Sequence, residues 1–144
     1  MKRKAFTLVE ILIVVVILAI LAAVVVPMFT DASADAMESS LKTNLSSLRS
    51  QLAVYHAQHK STYPTNLATG LCLETTIAGV NPVPSGTKAL GPYVQGGVLP
   101  VNPFTGTNDV GDTSGTAWKY SAANGTITAN DGGSSPEGVA HSSY

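Results

Sequence analysis

A nearly uninterrupted apolar stretch close to the start of the chain constrains its fold more than any other feature. Residues 6–29 carry a single charged side chain, that of Glu10. A helix over this range would be roughly 36 Å long, and the hydrocarbon core of a bilayer is about 30 Å thick. The sequence therefore predicts one membrane-spanning helix. The basic residues at 2–4 precede it and are expected to stay cytoplasmic, which places the C-terminal part on the opposite side.

Three interpretations of this stretch compete. A cleaved signal peptide would explain the basic start and the small residues Ala32-Ser33-Ala34 as a cleavage site, but its apolar region is usually only 7–15 residues long. A permanent signal anchor would explain the length, although it offers no reason for Glu10. A leader that is cut immediately before the apolar helix explains the length and the carboxylate together.

Glu10 is the residue that separates these interpretations. A carboxylate inside an apolar span costs about 2.5–3.5 kcal/mol at the centre and less near an end, where it can be harmless. A cut before Phe6 would create a cationic amine four residues away, which is one helical turn. That amine could pair with Glu10 of its own chain or of a neighbouring copy, and either pairing lowers the cost of the lone charge. Pairing between copies would set their axial stagger.

The segment Lys4-Ala5-Phe6-Thr7-Leu8-Val9-Glu10, followed by a long apolar helix, resembles the prepilin peptidase site of type IV pilins and type II secretion pseudopilins. The resemblance implies a cut between Ala5 and Phe6, methylation of Phe6, and a role for Glu10 in guiding filament assembly. Pro27 matches a helix-kinking proline of that family; its alternative role is to end the membrane helix. The family usually has glycine before the cut, where this chain has Ala5.

The pattern after the apolar stretch predicts an amphipathic helix over residues 31–60. Its apolar stripe has helical spacing and consists of Met37, Leu41, Leu45, Leu48, Leu52 and Tyr55. Such a stripe normally packs on the chain's own globular part. His56 and His59 could bind a metal, but no third ligand follows at metal-site spacing, which favours a solvated or half-buried pair. Cys72, the single cysteine, is expected to be a small buried residue.

Residues 61–144 are rich in glycine, proline, serine, threonine and asparagine. We predict strands over Pro92–Leu99, Ala117–Ser121 and Thr126–Ala129, the last two joined by a turn that contains Asn-Gly. Residues 67–78 fit either a short helix or a loop. The predicted fold class is α+β and pilin-like, a long N-terminal helix packed on a small antiparallel sheet. Its segments are a leader (1–5), a membrane or filament-core helix (6–30), an amphipathic helix (31–60), a β-rich part (61–131) and a flexible tail (132–144).

Composition and motifs argue against several function classes. Only 12% of the residues are charged and the net charge is −1, so no nucleic acid is expected as a partner. The chain has no G-x-S-x-G, H-E-x-x-H or Walker loop, and we predict that it is not an enzyme. No cofactor is expected, except that the resemblance implies a possible Ca²⁺ site at Asn108, Asp109 and Asp112. The alternative there is a turn without metal.

The leading hypothesis is a structural subunit of a helical filament of identical copies. We predict a type II secretion pseudopilus subunit in the bacterial inner membrane, single-pass, with a periplasmic C-terminal domain and an extracytoplasmic filament state. Its partners would be prepilin peptidase, the secretion or pilus assembly machinery and minor pseudopilins. The alternatives are a type IV pilus subunit for adhesion, motility or DNA uptake, and a membrane-anchored binding module that never polymerises.

Overall fold

The computed structural model of the chain describes residues 6–144. It confirms the predicted α+β class: one long N-terminal helix packs on a small antiparallel sheet. The elements are α1 (Leu8–Gln58), α2 (Leu67–Cys72), β1 (Trp118–Ser121) and β2 (Thr126–Ala129), with short 3-10 turns at Gln95–Gly97 and His141–Ser143.

Helix α1 contains 51 residues, about 76 Å of helix. It runs through Pro27, so that residue does not end the membrane helix as one interpretation had it. A proline has no backbone N–H, so the carbonyl of Ala23 loses its helical donor. Three residues after the proline, the hydroxyl of Thr30 donates to the carbonyl of Pro27 at 2.7 Å.

The two halves of α1 differ in what surrounds them. Residues 6–29 are exposed along their whole length. In the second half the predicted stripe is confirmed: Met37 is half-buried, and the fully buried side chains are Leu41, Leu45, Leu48, Leu52 and Tyr55. These residues pack against β2 and α2. Hydrophobic burial within the subunit therefore stabilises only the C-terminal half of the helix.

The sheet has two strands, and the predicted third strand at Pro92–Leu99 is wrong. The N–H groups of Tyr93 and Val94 both donate to the carbonyl of Leu71, at 2.8 and 3.0 Å, so they join α2 rather than a strand ladder. The chain then turns at Gln95–Gly97, where Gly96 has a φ of 82°. Two adjacent glycines there favour a turn over an extended strand. The ambiguous stretch at 67–78 contains the six-residue helix α2.

The predicted hairpin is confirmed. Strands β1 and β2 are antiparallel, with Trp118 opposite Ala129 and Ser121 opposite Thr126. Trp118 is completely buried and its indole N–H donates to the carbonyl of Pro100 at 2.9 Å. A buried indole needs such an acceptor, so this bond ties the sheet to the preceding loop.

The expectation of a flexible tail at 132–144 differs from the structure. His141 is 1% exposed, and its Nδ1 lies 2.8 Å from Oδ1 of the buried Asp131. Tyr144 reaches α1, where its hydroxyl donates to Glu38 at 2.6 Å. The composition of the tail is polar, but these two aromatic rings have partners inside the fold, and packing of a few such anchors outweighs average composition.

Acidification should weaken the fold through Asp131. Burial raises the pKa of this carboxyl, but donors from Asn102, Gly133 and His141 outweigh it and hold the pKa below its ordinary value. A lowered folded-state pKa contributes stability above the unfolded value, about 3.9, that is lost as pH falls through the folded one. The urea midpoint, followed by Trp118 fluorescence, should therefore fall between pH 5 and pH 2. In Asp131→Asn it should be lower at neutral pH and fall less; an identical pH profile would contradict this account.

Candidate assembly and processing site

The N-terminus of α1 is organised by Thr7 and Glu10. The hydroxyl oxygen of Thr7 accepts from the N–H of Glu10 at 3.3 Å. In return, Oε2 of Glu10 accepts from the N–H of Thr7 at 2.8 Å and from its hydroxyl at 2.7 Å. This reciprocal arrangement is a capping box, and it starts the helix at Leu8.

The capping box fixes the carboxylate that sequence reasoning selected. One oxygen of Glu10 is held by Thr7, while within residues 6–144 the structure gives Oε1 no hydrogen-bond donor. The side chain is exposed, four residues after Phe6, the first residue of the predicted mature chain. A cationic donor could therefore approach Oε1 without breaking the cap. Sequence reasoning missed the role of Thr7, although the spacing Thr-x-x-Glu is a recognised capping signal.

Around this site, the surface of α1 is apolar on every side of the helix. Phe6 and Phe29 are each 72% exposed, and nothing in the described part of the chain covers the residues between them. Within residues 6–144, one helix is long and apolar enough to cross a membrane. Soluble monomers rarely expose apolar patches above a few hundred Å². This segment therefore requires lipid or other helices around it.

The remaining predicted processing and assembly residues lie apart from Glu10. Pro27 is in the same exposed segment, 17 residues further along α1, which is about 26 Å along the axis. Ala5 lies outside the described residues, so the bond that is cut stays a prediction. Of the residues at this end of α1, Thr7 is the one that the structure shows bonded to Glu10.

The three candidates for calcium are directed to different partners. Asp109 braces its loop: Oδ1 accepts from the hydroxyl of Thr107 and from the N–H of Ala117, and these donors lower its pKa. The amide of Asn108 donates to the carbonyl of Leu99. Asp112 is exposed and lies 3.8 Å from the amine of Lys119. Residues 6–144 contain no metal-holding group of three or more His, Cys, Asp or Glu side chains. Calcium binding stays a prediction.

The histidine pair and the cysteine take structural positions. His59 is 1% exposed, with Nδ1 2.9 Å from the carbonyl of Tyr55 and Nε2 2.9 Å from the hydroxyl of Thr75. Both ring nitrogens are therefore occupied. His56 stacks on Tyr63 with 4.3 Å between ring centroids. Cys72 is buried as predicted, and burial raises the pKa of its thiol.

Comparison with known protein families finds a match at the N-terminus of the chain. Residues 1–26 match the prokaryotic N-terminal methylation motif. This match, which covers 26 of the 144 residues, supports a type IV pilin-like N-terminal segment. The motif implies processing by prepilin peptidase and assembly into pilus-like filaments. Together with the exposed apolar helix, it also indicates that the chain is anchored in a membrane.

The family match does not extend to the globular part of the chain. The motif ends at residue 26, before the first buried residue of α1. No curated protein and no solved structure matches the chain.

Proposed function

We propose that this pilin-like protein is cut between Ala5 and Phe6, methylated on Phe6, and polymerised through α1 into a type II secretion pseudopilus. One observation carries the proposal. A single continuous helix buries its C-terminal half in its own subunit, while residues 6–29 stay exposed in the described chain, residues 6–144. Such a helix suits a subunit whose first half moves from lipid into a bundle of identical helices.

The energetics of that transfer explain why Glu10 matters. Lipid tails are as apolar as leucine side chains, so moving residues 6–29 from the bilayer into a helix bundle gains little hydrophobic free energy. Assembly then depends on close packing and on polar interactions. A lone carboxylate costs up to about 2.5–3.5 kcal/mol in the membrane. An amine on Phe6 of a neighbouring copy would remove that cost only at one stagger, and so would specify the filament register.

The proposed topology follows from charge and from length. The basic residues 2–4 stay in the cytoplasm, α1 crosses the inner membrane, and the globular part lies in the periplasm. Residues 31–58 then raise the globular part above the membrane and present it on the outside of a filament. Minor pseudopilins and the assembly machinery would contact α1 as subunits are added.

The choice of a secretion pseudopilus over a type IV pilus is supported by the cysteine content. One cysteine, buried in the core, can form no disulfide within the chain, whereas pilus-forming pilins often close their C-terminal region with one. Deletion of the gene in its host distinguishes the two. Loss of protein secretion supports the pseudopilus, and loss of adhesion, motility or DNA uptake with normal secretion supports the pilus.

The mass of the protein purified from host membranes tests the processing route. Loss of residues 1–5 together with one added methyl group is the expected result. An uncut chain would favour a membrane-anchored binding module that never polymerises. A chain that begins at Asp35 would indicate a cleaved signal peptide.

A bulky residue at position 5 should block processing. Ala5→Leu is expected to leave the precursor uncut in the membrane, since the family usually has glycine, the smallest residue, at this position. Ala5→Gly is the matched control and should be cut at least as fast as the natural chain. The ratio of precursor to mature protein on a denaturing gel measures both. Equal maturation of Ala5→Leu would show that the cut lies elsewhere.

A further inference from the structure

Two asparagines of the chain stand in the pattern Asn-x-Ser/Thr, with no proline at x. They are Asn44, in Asn44-Leu45-Ser46, and Asn124, in Asn124-Gly125-Thr126. This tripeptide is the acceptor sequence for N-linked glycans, which are carried on the surfaces of exported proteins. The pattern alone does not separate the two sites, but the structure does.

Asn44 is poorly placed for modification. It lies inside α1, is half-buried, and its amide nitrogen donates to the carbonyl of Val101 at 3.0 Å. That nitrogen is the atom that would have to react. Freeing it would break a bond that ties the helix to the globular part.

Asn124 is presented in a different way. It is exposed in the turn between β1 and β2, next to the small, exposed residues Ala122 and Ala123. Its side-chain oxygen accepts from the N–H of Thr126 at 3.2 Å and from the hydroxyl at 2.8 Å. Within residues 6–144 its amide nitrogen has no hydrogen-bond acceptor. The acceptor sequence is therefore already folded with its hydroxyl on the amide oxygen and its nitrogen open to solvent.

The turn that carries Asn124 packs on the globular part through Gly125. Gly125 has a φ of 68°, and a Cβ there would lie 2.2 Å from the ring of Tyr63. Tyr63 in turn stacks on His56, near the end of α1. From Phe29 to His56 the helix rises about 40 Å. A bulky group on Asn124 would thus lie far from residues 6–29 and leave their packing undisturbed.

We propose that Asn124 is an N-glycosylation acceptor, modified by a membrane glycosyltransferase that uses a polyprenyl-diphosphate-linked sugar. The amide nitrogen forms a bond to the anomeric carbon as the bond from that carbon to the diphosphate oxygen breaks. The amide proton passes to a base of the transferase, and the lipid diphosphate leaves. This proposal rests on the extracytoplasmic placement of the globular part in the proposed function.

Trypsin separates the two sites, because no lysine or arginine follows Lys119. Asn44 falls in the peptide Thr43–Arg49, and Asn124 in the peptide Tyr120–Tyr144. Mass spectrometry of the full chain purified from its host should find a sugar mass on the second peptide and none on the first. The sugar should be lost in Asn124→Gln and Thr126→Ala and kept in Thr126→Ser, which retains the hydroxyl, and in Asn44→Gln.

Each other outcome overturns the proposal. An unmodified Tyr120–Tyr144 peptide shows that Asn124 is not used, and a sugar on Thr43–Arg49 selects the wrong site. A sugar that survives Asn124→Gln is linked through a hydroxyl instead. The N-terminal peptide of the same digest reports separately on processing. If it begins at a methylated Phe6, the proposed function stands even when the glycan is absent.

Discussion

Replacing Glu10 with glutamine should leave the subunit processed and in the membrane but lower the yield of filaments at least roughly tenfold. Glutamine keeps the size of the side chain and an oxygen that accepts from Thr7, so the start of α1 is retained. It removes the charge that would pair with an amine on Phe6. A tenfold change in an association constant needs only about 1.4 kcal/mol, and removing one partner of a buried charge pair costs about 3–5 kcal/mol because the other charge is left unpaired. Filaments sheared from cells and quantified by immunoblot measure the yield.

Two further variants test whether the charge of Glu10, and not just any carboxylate of α1, is required for assembly. Glu10→Asp keeps the charge on a shorter side chain and should restore part of the yield. Asp31→Asn removes an exposed carboxylate from α1 just beyond the apolar segment and should assemble normally. Normal filaments from Glu10→Gln would contradict charge pairing as the source of the register.

Replacing Leu45 with alanine should destabilise the globular part without altering residues 6–29. Leu45 is 1% exposed in the core stripe of α1, and leucine-to-alanine changes in such cores cost about 2–5 kcal/mol. With about 1–3 kcal/mol per molar urea for a small domain, the urea midpoint should fall by roughly 1–3 M. Trp118 is the single tryptophan and is buried, so its fluorescence reports unfolding of the globular part while α1 stays in detergent.

Ser46→Ala is the matched control for Leu45→Ala. Ser46 is the next residue of the same helix and is exposed, and alanine has a higher helix propensity than serine. Its midpoint should stay within a few tenths of a molar of the natural chain. Equal midpoints for the two variants would mean that the stripe of α1 does not hold the globular part together.

Sequence reasoning succeeded where a short-range pattern sufficed. The spacing of apolar residues predicted the apolar helix and the stripe from Met37 to Tyr55, because helix and strand periods are set by backbone geometry. The Asn-Gly pair predicted the turn between β1 and β2. The roles of Phe6 and Glu10 in processing and assembly stay predictions. Thr7 was missed even though its signal is local.

The errors came from contacts between distant residues. Pro92–Leu99 has an apolar character that suits a strand, but Tyr93 and Val94 find their acceptor on Leu71 instead. The tail was expected to be flexible from its glycine and serine content, yet His141 and Tyr144 bond to Asp131 and Glu38. Composition describes the average polarity of a segment, whereas packing of the tail on the domain depends on one or two side chains that find partners there.

The sequence by itself determined that this chain has one membrane-length helix, a charge near its start and a second helical half with one apolar face. These properties are local, since they follow from the order of neighbouring residues and from the thickness of a bilayer. Only the tertiary structure decided that the sheet has two strands and which of the two asparagines in Asn-x-Ser/Thr sequences is open to solvent. Those outcomes depend on which donors and acceptors meet across many residues, and pairings of that kind are settled by the packing of the whole domain.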